Sequence, residues 1–592
     1  MTISVVGRNT LTAPQRMNVL PTLSEHVPGL FVTQRGMMGF GVSNGAAGGI
    51  SVRGIASGSG QLLVLIDGHP QYNGIYGHSI GDAYSTMMAQ RVEVLRGPAS
   101  VLYGSNAMGG VINIVTREGY AADQRRTHLH LGGGSYGTAQ AEAENVYNHG
   151  RFTSTVGAQY SRTDNHRPRM GFDQYGGRAK LGYVINPHWK AFATADVTHF
   201  DASYPGTVDA PMYEADQWIT RGVTTLGVDN GYSGFSSSFY TKGRISAYYN
   251  WGSHKINDGY AEGAQPQKRF FRSKDALMGV SAYQNLFFAS NTKVTVGFDY
   301  QHIYGNAWYT NRETGEVMPT QNKQSAEANM DELAGYVNVH QGITHWLDLD
   351  AGVRYDHHSV SGDEWIPQAG IVFHPLTSAE VKLMASKGFR NPTMREMYLY
   401  PPSNEELLPE RLWNYELGWK HRAGGGRFTY GVNLFWIEGD NMIQTATVKT
   451  PDGGSKKQNI NVGEISNRGV EVEMDWDINN HWTLSSNHSY LYMEHHVLAA
   501  PQYKGYLGAT MNYGKWSATA GLQQVCGLYT NVGSDDDPTE TFTLLNATVA
   551  YQVLPWLQLW AKGENLLGQK YEINAGYPMP GATFMGGVNI NF

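Results

Sequence analysis

The sequence predicts an all-β transmembrane barrel of 22 antiparallel strands with an N-terminal α/β plug domain in its lumen. The first observation is composition: 16% of the 592 residues are charged and 71 are glycine, whereas average proteins are about 25% charged and roughly 7% glycine. The second is hydropathy, since its mean is −0.39 and no stretch approaches the roughly 18–20 consecutive apolar residues of a transmembrane helix. The third is a strict alternation of apolar and polar residues over most of the chain.

Alternating segments justify the barrel strands. In residues 470–478 the polar face is acidic throughout, with Glu471 and Glu473 at its centre, and the other face carries Val470, Val472, Met474, Trp476 and Ile478. The same pattern recurs in 189–198, 347–356 and 582–592. Lipid-facing side chains therefore alternate with side chains that face a wet lumen. A β-sandwich also alternates, but its packed interior would not accept so many charges.

Short and long connections give the topology. Nine short turn sequences recur, often beside a tryptophan suited to a membrane interface, at 148–150, 186–188, 289–291, 344–345, 374–376, 424–426, 479–481, 513–515 and 554–555. A tenth is expected near 235–243. Longer polar segments, interpreted as outer loops, lie at 201–235, 256–275, 304–330, 395–412, 440–465 and 529–541. Ten short turns on one side predict 22 strands, and about half of the barrel region is then loop.

The first 118 residues differ from the rest. Leu62–Ile66 is a continuous apolar run, and 92–98 and 111–115 are two further apolar clusters; such runs are typical of strands buried on both faces. We therefore expect a plug domain at 1–118 and a barrel at 119–592, because a 22-stranded barrel is wide enough to hold a small domain. One cysteine excludes a disulfide framework within the chain, and a net charge of −7 argues against a nucleic-acid partner.

The plug region carries motifs of a known family. Ser51-Val52-Arg53-Gly54-Ile55, Val64-Leu65-Ile66-Asp67-Gly68, residues 91–98 and residues 99–114 resemble the plug of TonB-dependent outer-membrane transporters, and residues 414–418, 563–567 and 577–581 resemble their barrel. The resemblance implies active uptake of a scarce, bulky nutrient across the outer membrane of a Gram-negative cell. The energy would come from the TonB–ExbB–ExbD complex of the inner membrane. The resemblance further implies a multi-pass protein surrounded by outer-membrane lipid.

The resemblance also implies a set of coupling charges. Plug arginines Arg53 and Arg96 would pair with barrel glutamates Glu416 and Glu471. Glu471 lies on the inward face by the alternation above, which supports this independently, since a plug charge inside a barrel is partly desolvated and needs a partner. The alternative is that these charges merely solvate a wet lumen.

A TonB box is a short extended segment that adds as a strand to TonB. Ile3, Ser4, Val5 and Val6 are the candidate, and the alternative is that they form the first strand of the plug. The sequence shows no basic and apolar signal-peptide pattern. We therefore expect the export signal, and the alternative location of the box, to lie upstream of residue 1.

Ligand contacts are expected at two glycine-rich plug apices with aromatic and methionine side chains: Met37, Met38, Phe40, His69, Gln71, Tyr72, Tyr76 and His78. The first apex continues to Gly49. The plug around 45–54 and the Gly68-His69-Pro70 apex resemble vitamin B12 (cobalamin) receptors, in which a surface lipoprotein often caps the barrel. Haem and a siderophore or other metal chelate are the alternatives. A haem site would use an axial histidine or tyrosine, for which the candidates are His69, His78, His357, His358, His495 and His496.

Two further expectations concern metals and catalysis. Cobalamin receptors can use calcium to order outer loops, and Asp535, Asp536 and Asp537 are the candidate oxygen ligands; a solvated acidic run is the alternative. We expect no catalytic residues and no catalytic cofactor, and no H-E-x-x-H motif occurs. A passive porin or an adhesion barrel is the alternative outside transport, but neither would need the plug motifs.

Overall fold

The structure is a computed structural model, and it describes residues 2–40, 49–56, 58, 60–118, 125–233, 239–289, 291–319, 326–399, 402–449, 454–533 and 537–592. It consists of an N-terminal domain enclosed by a closed antiparallel barrel. No helix in these ranges combines the length and apolar character needed to cross a membrane.

The N-terminal domain is a small α/β plug. Its strands are β1 (Thr2–Gly7), β2 (Leu30–Val32), β3 (Ile50–Val52), β4 (Ile55–Ala56), β5 (Leu63–Ile66), β6 (His69–Pro70), β7 (Ala89–Arg96) and β8 (Gly110–Thr116). Its helices are α1 (Arg8–Thr12), α2 (Leu20–His26) and α3 (Ser100–Tyr103), with a 3₁₀ turn at Gly81–Ala83. One sheet has the order β1-β7-β8-β5-β6 and a second the order β2-β3-β4. The predicted apolar run becomes β5, which is buried throughout.

Helix α2 packs on the large sheet because its apolar residues lie on one face. Leu20 and Leu23 are fully buried beside Val64, Val92 and Ile112 in the main plug core. Burying a leucine side chain stabilises by about 1.5–3 kcal/mol, and the spacing of three residues places both leucines on the same side. The plug therefore has its own apolar core inside the barrel.

The barrel contains 22 strands that close on themselves within the described residues. These and three short strands (β18, β31 and β32) are, in chain order, β9 Arg125–Gly134, β10 Thr138–His149, β11 Phe152–Thr163, β12 Phe172–Asn186, β13 Trp189–Ser203, β14 Met212–Ser233, β15 Phe239–Ala261, β16 Arg269–Phe288, β17 Thr292–Asn311, β18 Val317–Met318, β19 Ala326–Thr344, β20 Leu347–His358, β21 Gly362–Leu376, β22 Ala379–Arg390, β23 Glu410–Ala423, β24 Phe428–Lys449, β25 Ser455–Asp477, β26 Trp482–Met493, β27 Pro501–Tyr513, β28 Trp516–Tyr529, β29 Thr539–Leu554, β30 Leu557–Glu564, β31 Glu572–Asn574, β32 Tyr577–Pro578 and β33 Thr583–Asn591.

Closure and alternation follow the sequence pattern. β33 pairs with β9, with Met585 opposite Gly134. In β25, Trp476 faces outward with 46% of its surface exposed, whereas Glu471 faces the lumen and is 1% exposed. Outward apolar and inward polar residues are what a strand between lipid and an aqueous lumen requires.

The predicted short turns lie at one end of the barrel, which we call the short-turn side; in outer-membrane barrels this is the periplasmic side. The turn predicted at 374–376 is displaced, because β21 runs to Leu376 and β22 begins at Ala379. The tenth turn falls between β14 and β15, which pair Ser233 with Tyr240, and its residues 234–238 lie outside the described ranges.

The predicted loop lengths on the opposite, long-loop side are wrong. Four of the polar segments, 201–235, 256–275, 304–330 and 440–465, contain long stretches of strand. β15 and β25 each have 23 residues, about twice the roughly 9–11 that span a membrane. Above the membrane both strand faces meet water, so the ladder continues without an apolar face and its sequence looks like loop.

Within the described ranges, one α-helix lies on the long-loop side. Helix α4 (Met394–Met397) begins at Thr393, whose side chain accepts from the Glu396 backbone while the Glu396 carboxylate accepts from the Thr393 backbone. This reciprocal capping satisfies two backbone donors that a short helix would otherwise leave free. It fixes the segment between β22 and β23, which the sequence predicts as loop 395–412.

Candidate functional site

Plug and barrel are joined by a buried cluster of charges, which we call the arginine clamp: Arg53, Arg96, Glu416, Glu471 and Glu473. Arg53 donates from Nη1 to Glu416 Oε1 at 2.7 Å, from Nη2 to Glu471 Oε2 at 2.9 Å and from Nε to Glu471 Oε1 at 3.0 Å. Arg96 donates to Glu471 Oε2 at 2.8 Å and to Glu473 Oε1 at 2.5 Å. The four residues that the sequence singles out for coupling are thus in direct contact.

Plug backbone geometry makes room for the clamp. Arg53 has φ +54° and lies in the tight turn between β3 and β4, and its guanidinium carbon lies 4.4 Å from the centre of the Phe435 ring. A Cβ at Gly29 would lie 2.6 Å from Glu471 Oε1, and one at Gly97 would lie 2.9 Å from Glu416 Oε1. Both glycines also have positive φ, so only glycine fits well beside the carboxylates. Burial alone would lower the pKa of Arg53. Glu471 and Glu416 raise this pKa by more than burial lowers it, so the guanidinium stays charged.

The predicted TonB box lies in strand β1. The segment pairs with β7, with Ile3, Ser4, Val5 and Val6 opposite Leu95, Val94, Glu93 and Val92. This pairing corresponds to the alternative prediction, in which the segment is the first strand of the plug. β1 is at one edge of its sheet. Thr2 Oγ1 donates to Glu416 Oε2 at 2.8 Å and Ser4 Oγ donates to Glu473 Oε1 at 2.7 Å. The N-terminal strand therefore shares two carboxylates with the arginine clamp.

The first predicted ligand apex lies on the long-loop side. The Met37 backbone N–H donates to Asn165 Oδ1 at 2.8 Å, from the connection between β11 and β12. Met37 and Met38 are half-buried and Phe40 is buried. All three border a cavity of about 160 Å³ together with Tyr571 and Met579. Residues 41–48, the rest of this predicted apex, lie outside the described ranges.

The second predicted apex is divided between two levels. The prediction that His69 lies at a plug apex is wrong. His69 is 3% exposed, and its ring contacts Ser246 Oγ at 3.0 Å in the short-turn half of β15. Burial, with Arg244 nearby, lowers the pKa of His69 to about 4. Gln71 donates to the His69 carbonyl, and the Tyr72 hydroxyl accepts from Gln301 near the middle of the barrel.

Tyr76 and His78 lie higher. Tyr76 packs against an apolar cluster that includes Phe271 and Tyr309 at the long-loop ends of β16 and β17, and its ring centre lies 5.7 Å from that of His78. Burial, together with Arg221, lowers the pKa of His78 to about 4. Of the second apex, these two residues are nearest to the outer end of the barrel.

The other histidines proposed as haem ligands are scattered along the outer rim. His357 contacts Asp363 Oδ1 at 2.6 Å, and the neighbouring His358 is buried at the end of β20. His495 and His496 lie between β26 and β27, where His496 stacks on Tyr529 with ring centres 4.0 Å apart. The structure therefore does not bring these pairs together with His69 or His78.

The predicted calcium ligands are only partly described. Asp537 lies 3.4 Å from His496 Nδ1, and Asp535 and Asp536 lie outside the described ranges. Within the part of the chain that the structure describes, no three His, Cys, Asp or Glu side chains are grouped to hold a metal ion.

Several plug–barrel contacts were missed at the sequence level. Lys504 of β27 is buried and donates to the carbonyls of Ser24, Val27 and Leu30 at 2.5–2.7 Å, which caps the C-terminal end of α2. Glu473 could have been found, since it shares the inward face of Glu471. Nothing in its sequence surroundings marks Lys504.

A second ionic contact was also missed. Arg16 of the plug donates to both carboxylate oxygens of Glu25, at 2.7 and 2.8 Å, and to Glu564 of β30 at 2.8 Å. Burial alone would lower the pKa of Arg16, but the two glutamates raise this pKa by more than burial lowers it. This contact holds the plug to the strands next to the barrel closure.

Comparison with protein families agrees with the two-part architecture. The model described as "TonB dependent receptor-like, beta-barrel" matches residues 195–566, and "TonB-dependent Receptor Plug Domain" matches residues 1–111. The chain belongs to the TonB-dependent receptor family. It is thus an outer-membrane protein of TonB-dependent transport, and receptors of this family interact with TonB.

Two relatives of this TonB-dependent receptor carry different descriptions. A vitamin B12 transporter BtuB of Vibrio cholerae is 24% identical over 97% of this chain and 90% of its own length. An iron-regulated outer membrane virulence protein of the same species is also 24% identical, over 100% of this chain and 92% of its own length.

Solved structures share the fold. The copper transporter OprC superposes with a TM-score of 0.83 at 16% identity, covering 100% of this chain and 98% of its own. The siderophore receptor PirA of Acinetobacter baumannii superposes with a TM-score of 0.80 at 16% identity, covering 100% of this chain and 98% of its own.

Proposed function

We propose that this receptor imports cobalamin across the outer membrane, with energy from the TonB–ExbB–ExbD complex. The observation that carries the choice of cobalamin is the similarity to vitamin B12 transporters over 97% of the chain. The chemistry of the first apex supports it: Met37 and Met38 are half-buried there, and Gly36–Phe40 contains no charged side chain. Apolar, polarizable side chains suit a large ligand with a broad, partly apolar face.

The alternative substrate is haem or a ferric siderophore or other metal chelate. It is favoured by the similarity to the iron-regulated protein of Vibrio cholerae, at the same identity as the vitamin B12 transporter. An anionic chelate would need a surplus of arginine and lysine around it, which the Gly36–Phe40 apex does not supply.

Direct binding separates these substrates. Purified receptor is titrated by calorimetry and by tryptophan quenching with cyanocobalamin, haemin and ferric enterobactin, and its absorbance is recorded for any coloured ligand that copurifies. We expect saturable binding of cyanocobalamin below micromolar concentration. Absence of cyanocobalamin binding at micromolar concentration, with binding of haemin or the chelate, would reject cobalamin in favour of that ligand.

Energy coupling would act through β1. Thr2 and Ser4 contact Glu416 and Glu473, which also hold Arg53 and Arg96. Withdrawal of β1 by TonB would therefore remove hydrogen bonds from the clamp and uncover the edge of β7. Uptake that continues after collapse of the inner-membrane gradient would contradict this coupling and would favour a passive pore.

Two proposals concern partners at the outer surface. A surface lipoprotein would cap the barrel, and calcium would order the outer loops through Asp535, Asp536 and Asp537. Chelation by EDTA should then weaken cyanocobalamin binding, and calcium but not magnesium should restore it, because calcium accepts more oxygen ligands in a flexible geometry. Unchanged affinity in EDTA would remove the calcium proposal and leave transport unaffected.

A further inference from the structure

A polar cavity of about 530 Å³ lies between the plug and the barrel wall formed by β12 and β15–β20. His69, Tyr72 and Tyr103 border it from the plug, and Ser246 and Thr295 border it from the barrel. Protein interiors contain few voids larger than a water molecule. A space of this size between two packed domains therefore needs an explanation.

The cavity extends toward the short-turn side. Lys293, the second residue of β17, and Asn285, close to the end of β16, both border it. Its upper end is at Tyr72, whose hydroxyl accepts from Gln301 near the middle of β17. The cavity thus occupies the inner half of the lumen.

The segment 72–78 closes the cavity from above. Asp275 of β16 accepts from Asn73 Nδ2 at 3.0 Å and from the Gly74 backbone at 2.9 Å, and Arg221 donates to Asp275 and to the Tyr72 carbonyl. The same segment carries Tyr76 and His78 on the outer side. It therefore separates the outer mouth from the cavity.

The two sides of the plug differ. On the side of β23–β25, the arginine clamp and the apolar contacts around Phe435 occupy the boundary and leave a smaller cavity of about 240 Å³ beside β1. On the side of β15–β20, five basic and five acidic side chains border the cavity together with five tyrosines. Such a lining suits a bulky ligand with balanced charge and exposed ring or amide groups, because phenols offer both an apolar face and a hydrogen-bonding tip.

We propose that this cavity is an inner transit site, which receives the ligand when segment 72–78 moves away from Asp275 and releases it on the short-turn side. The inference rests on the proposed transport function. It places the route along β15–β20, on the side of the plug away from the arginine clamp. The ligand class is a large molecule of balanced charge, whether corrinoid or another ring system.

Filling the cavity tests the route. Thr295→Trp adds bulk to the cavity from the fourth residue of β17. Thr519→Trp is the matched control, at the fourth residue of β28 and on the same strand face as Gln523, which faces the plug on the other wall. We expect T295W to lower uptake of cyanocobalamin at least about tenfold, with binding unchanged. The tryptophan would occupy part of the cavity, and the close-packed residues around it could not move aside to restore that volume. Equal uptake by T295W and the wild type, or equal loss in T519W, would overturn the route.

A second measurement needs no identified ligand. In a Cys526→Ser background, which removes the single native cysteine, Gln301→Cys places a thiol at the top of the cavity, and Ser489→Cys places one against the plug on β26. A membrane-impermeant maleimide is added outside energised cells and outside cells treated with a protonophore. We expect energy-dependent labelling at position 301 and none at 489.

The outcomes separate this inference from the choice of substrate. Labelling at 489 alone, at both positions equally, or at neither would overturn the transit site. Failure of the wild type to bind cyanocobalamin would reject cobalamin, and the labelling experiment would still decide the route.

Discussion

Arg53 and Glu471 form a two-pronged ion pair across the plug–barrel boundary, in which Nη2 and Nε of one guanidinium meet the two oxygens of one carboxylate at 2.9 and 3.0 Å. Both side chains are 1% exposed or less. A buried pair of this kind costs much desolvation when formed, but removing one partner leaves an uncompensated charge and costs about 3–5 kcal/mol. Glu471 should therefore be the most sensitive position of the clamp, since it also accepts from Arg96.

Glu471→Gln should loosen the plug while leaving the barrel assembled. The amide keeps the shape but removes the charge that balances Arg53 and Arg96, so we expect the free energy of plug docking to fall by about 3–5 kcal/mol. Hydrogen exchange of the amides in β3, β4 and β7 measures the loosening, and heat-modifiable migration in gels measures barrel assembly.

Glu473→Gln is the matched control. Its carboxylate contacts Arg96 and Ser4 but is 35% exposed, and exposed ion pairs contribute only about 0–1 kcal/mol. Exchange that is equally fast in E473Q and E471Q would contradict the central role of Glu471.

Lys504→Met should loosen the end of helix α2. The ammonium satisfies three carbonyls, of Ser24, Val27 and Leu30, and leaving a buried acceptor unpaired costs about 1–3 kcal/mol. We expect faster exchange of the amides of α2 and β2 without a change in β5 or β8. Lys515→Met, at an exposed turn, is the control; comparable exchange in both variants would show that the Lys504 contacts do not stabilise the plug.

The sequence predicts the architecture better than the contacts within it. Alternation identifies Glu471 as inward because one face of β25 must meet lipid. It does not reveal β15 and β25 above the membrane, since both faces of a strand in water are polar and resemble a loop. His69 could not be placed, because a short glycine-rich motif does not say how deeply a strand end is buried. Lys504 acts on carbonyls that become neighbours only when α2 docks on β27.

Thr2→Val with Ser4→Ala should release β1 more easily. Each hydroxyl donates to a carboxylate of the clamp, at 2.8 and 2.7 Å, and a hydrogen bond to a charged group contributes about 1.5–3 kcal/mol. A spin label at Ile3, which is half exposed, would report a larger mobile fraction. Val5→Ser, which alters an outward side chain of the same strand and keeps the label at position 3, is the control. Unchanged mobility in the first variant would mean that pairing with β7 alone holds the strand.

The plug should lose stability as the pH falls from 6.5 to 4. Burial lowers the pKa of His26, His69 and His78 to about 4 each, whereas an exposed histidine in the unfolded plug has a pKa near 6.5. Between these values the unfolded plug binds more protons than the folded plug, so stability rises with pH by up to about 1.4 kcal/mol per pH unit for each histidine. Above about pH 7.5 both states are neutral at these positions and the dependence ends.

Asp67 does not interfere in this window. Burial raises the pKa of its carboxyl, but Lys180, Arg178 and hydrogen bonds from Thr116 outweigh burial and hold it at about 2; its contribution is lost only as the pH falls from about 4 toward 2. Plug unfolding in denaturant, followed between pH 7.5 and 4.5, gives the slope. His69→Gln and His78→Gln should each flatten it, while His345→Gln, in the exposed turn between β19 and β20, should leave it unchanged. A slope that is the same in all three variants would assign the pH dependence to groups other than the buried plug histidines.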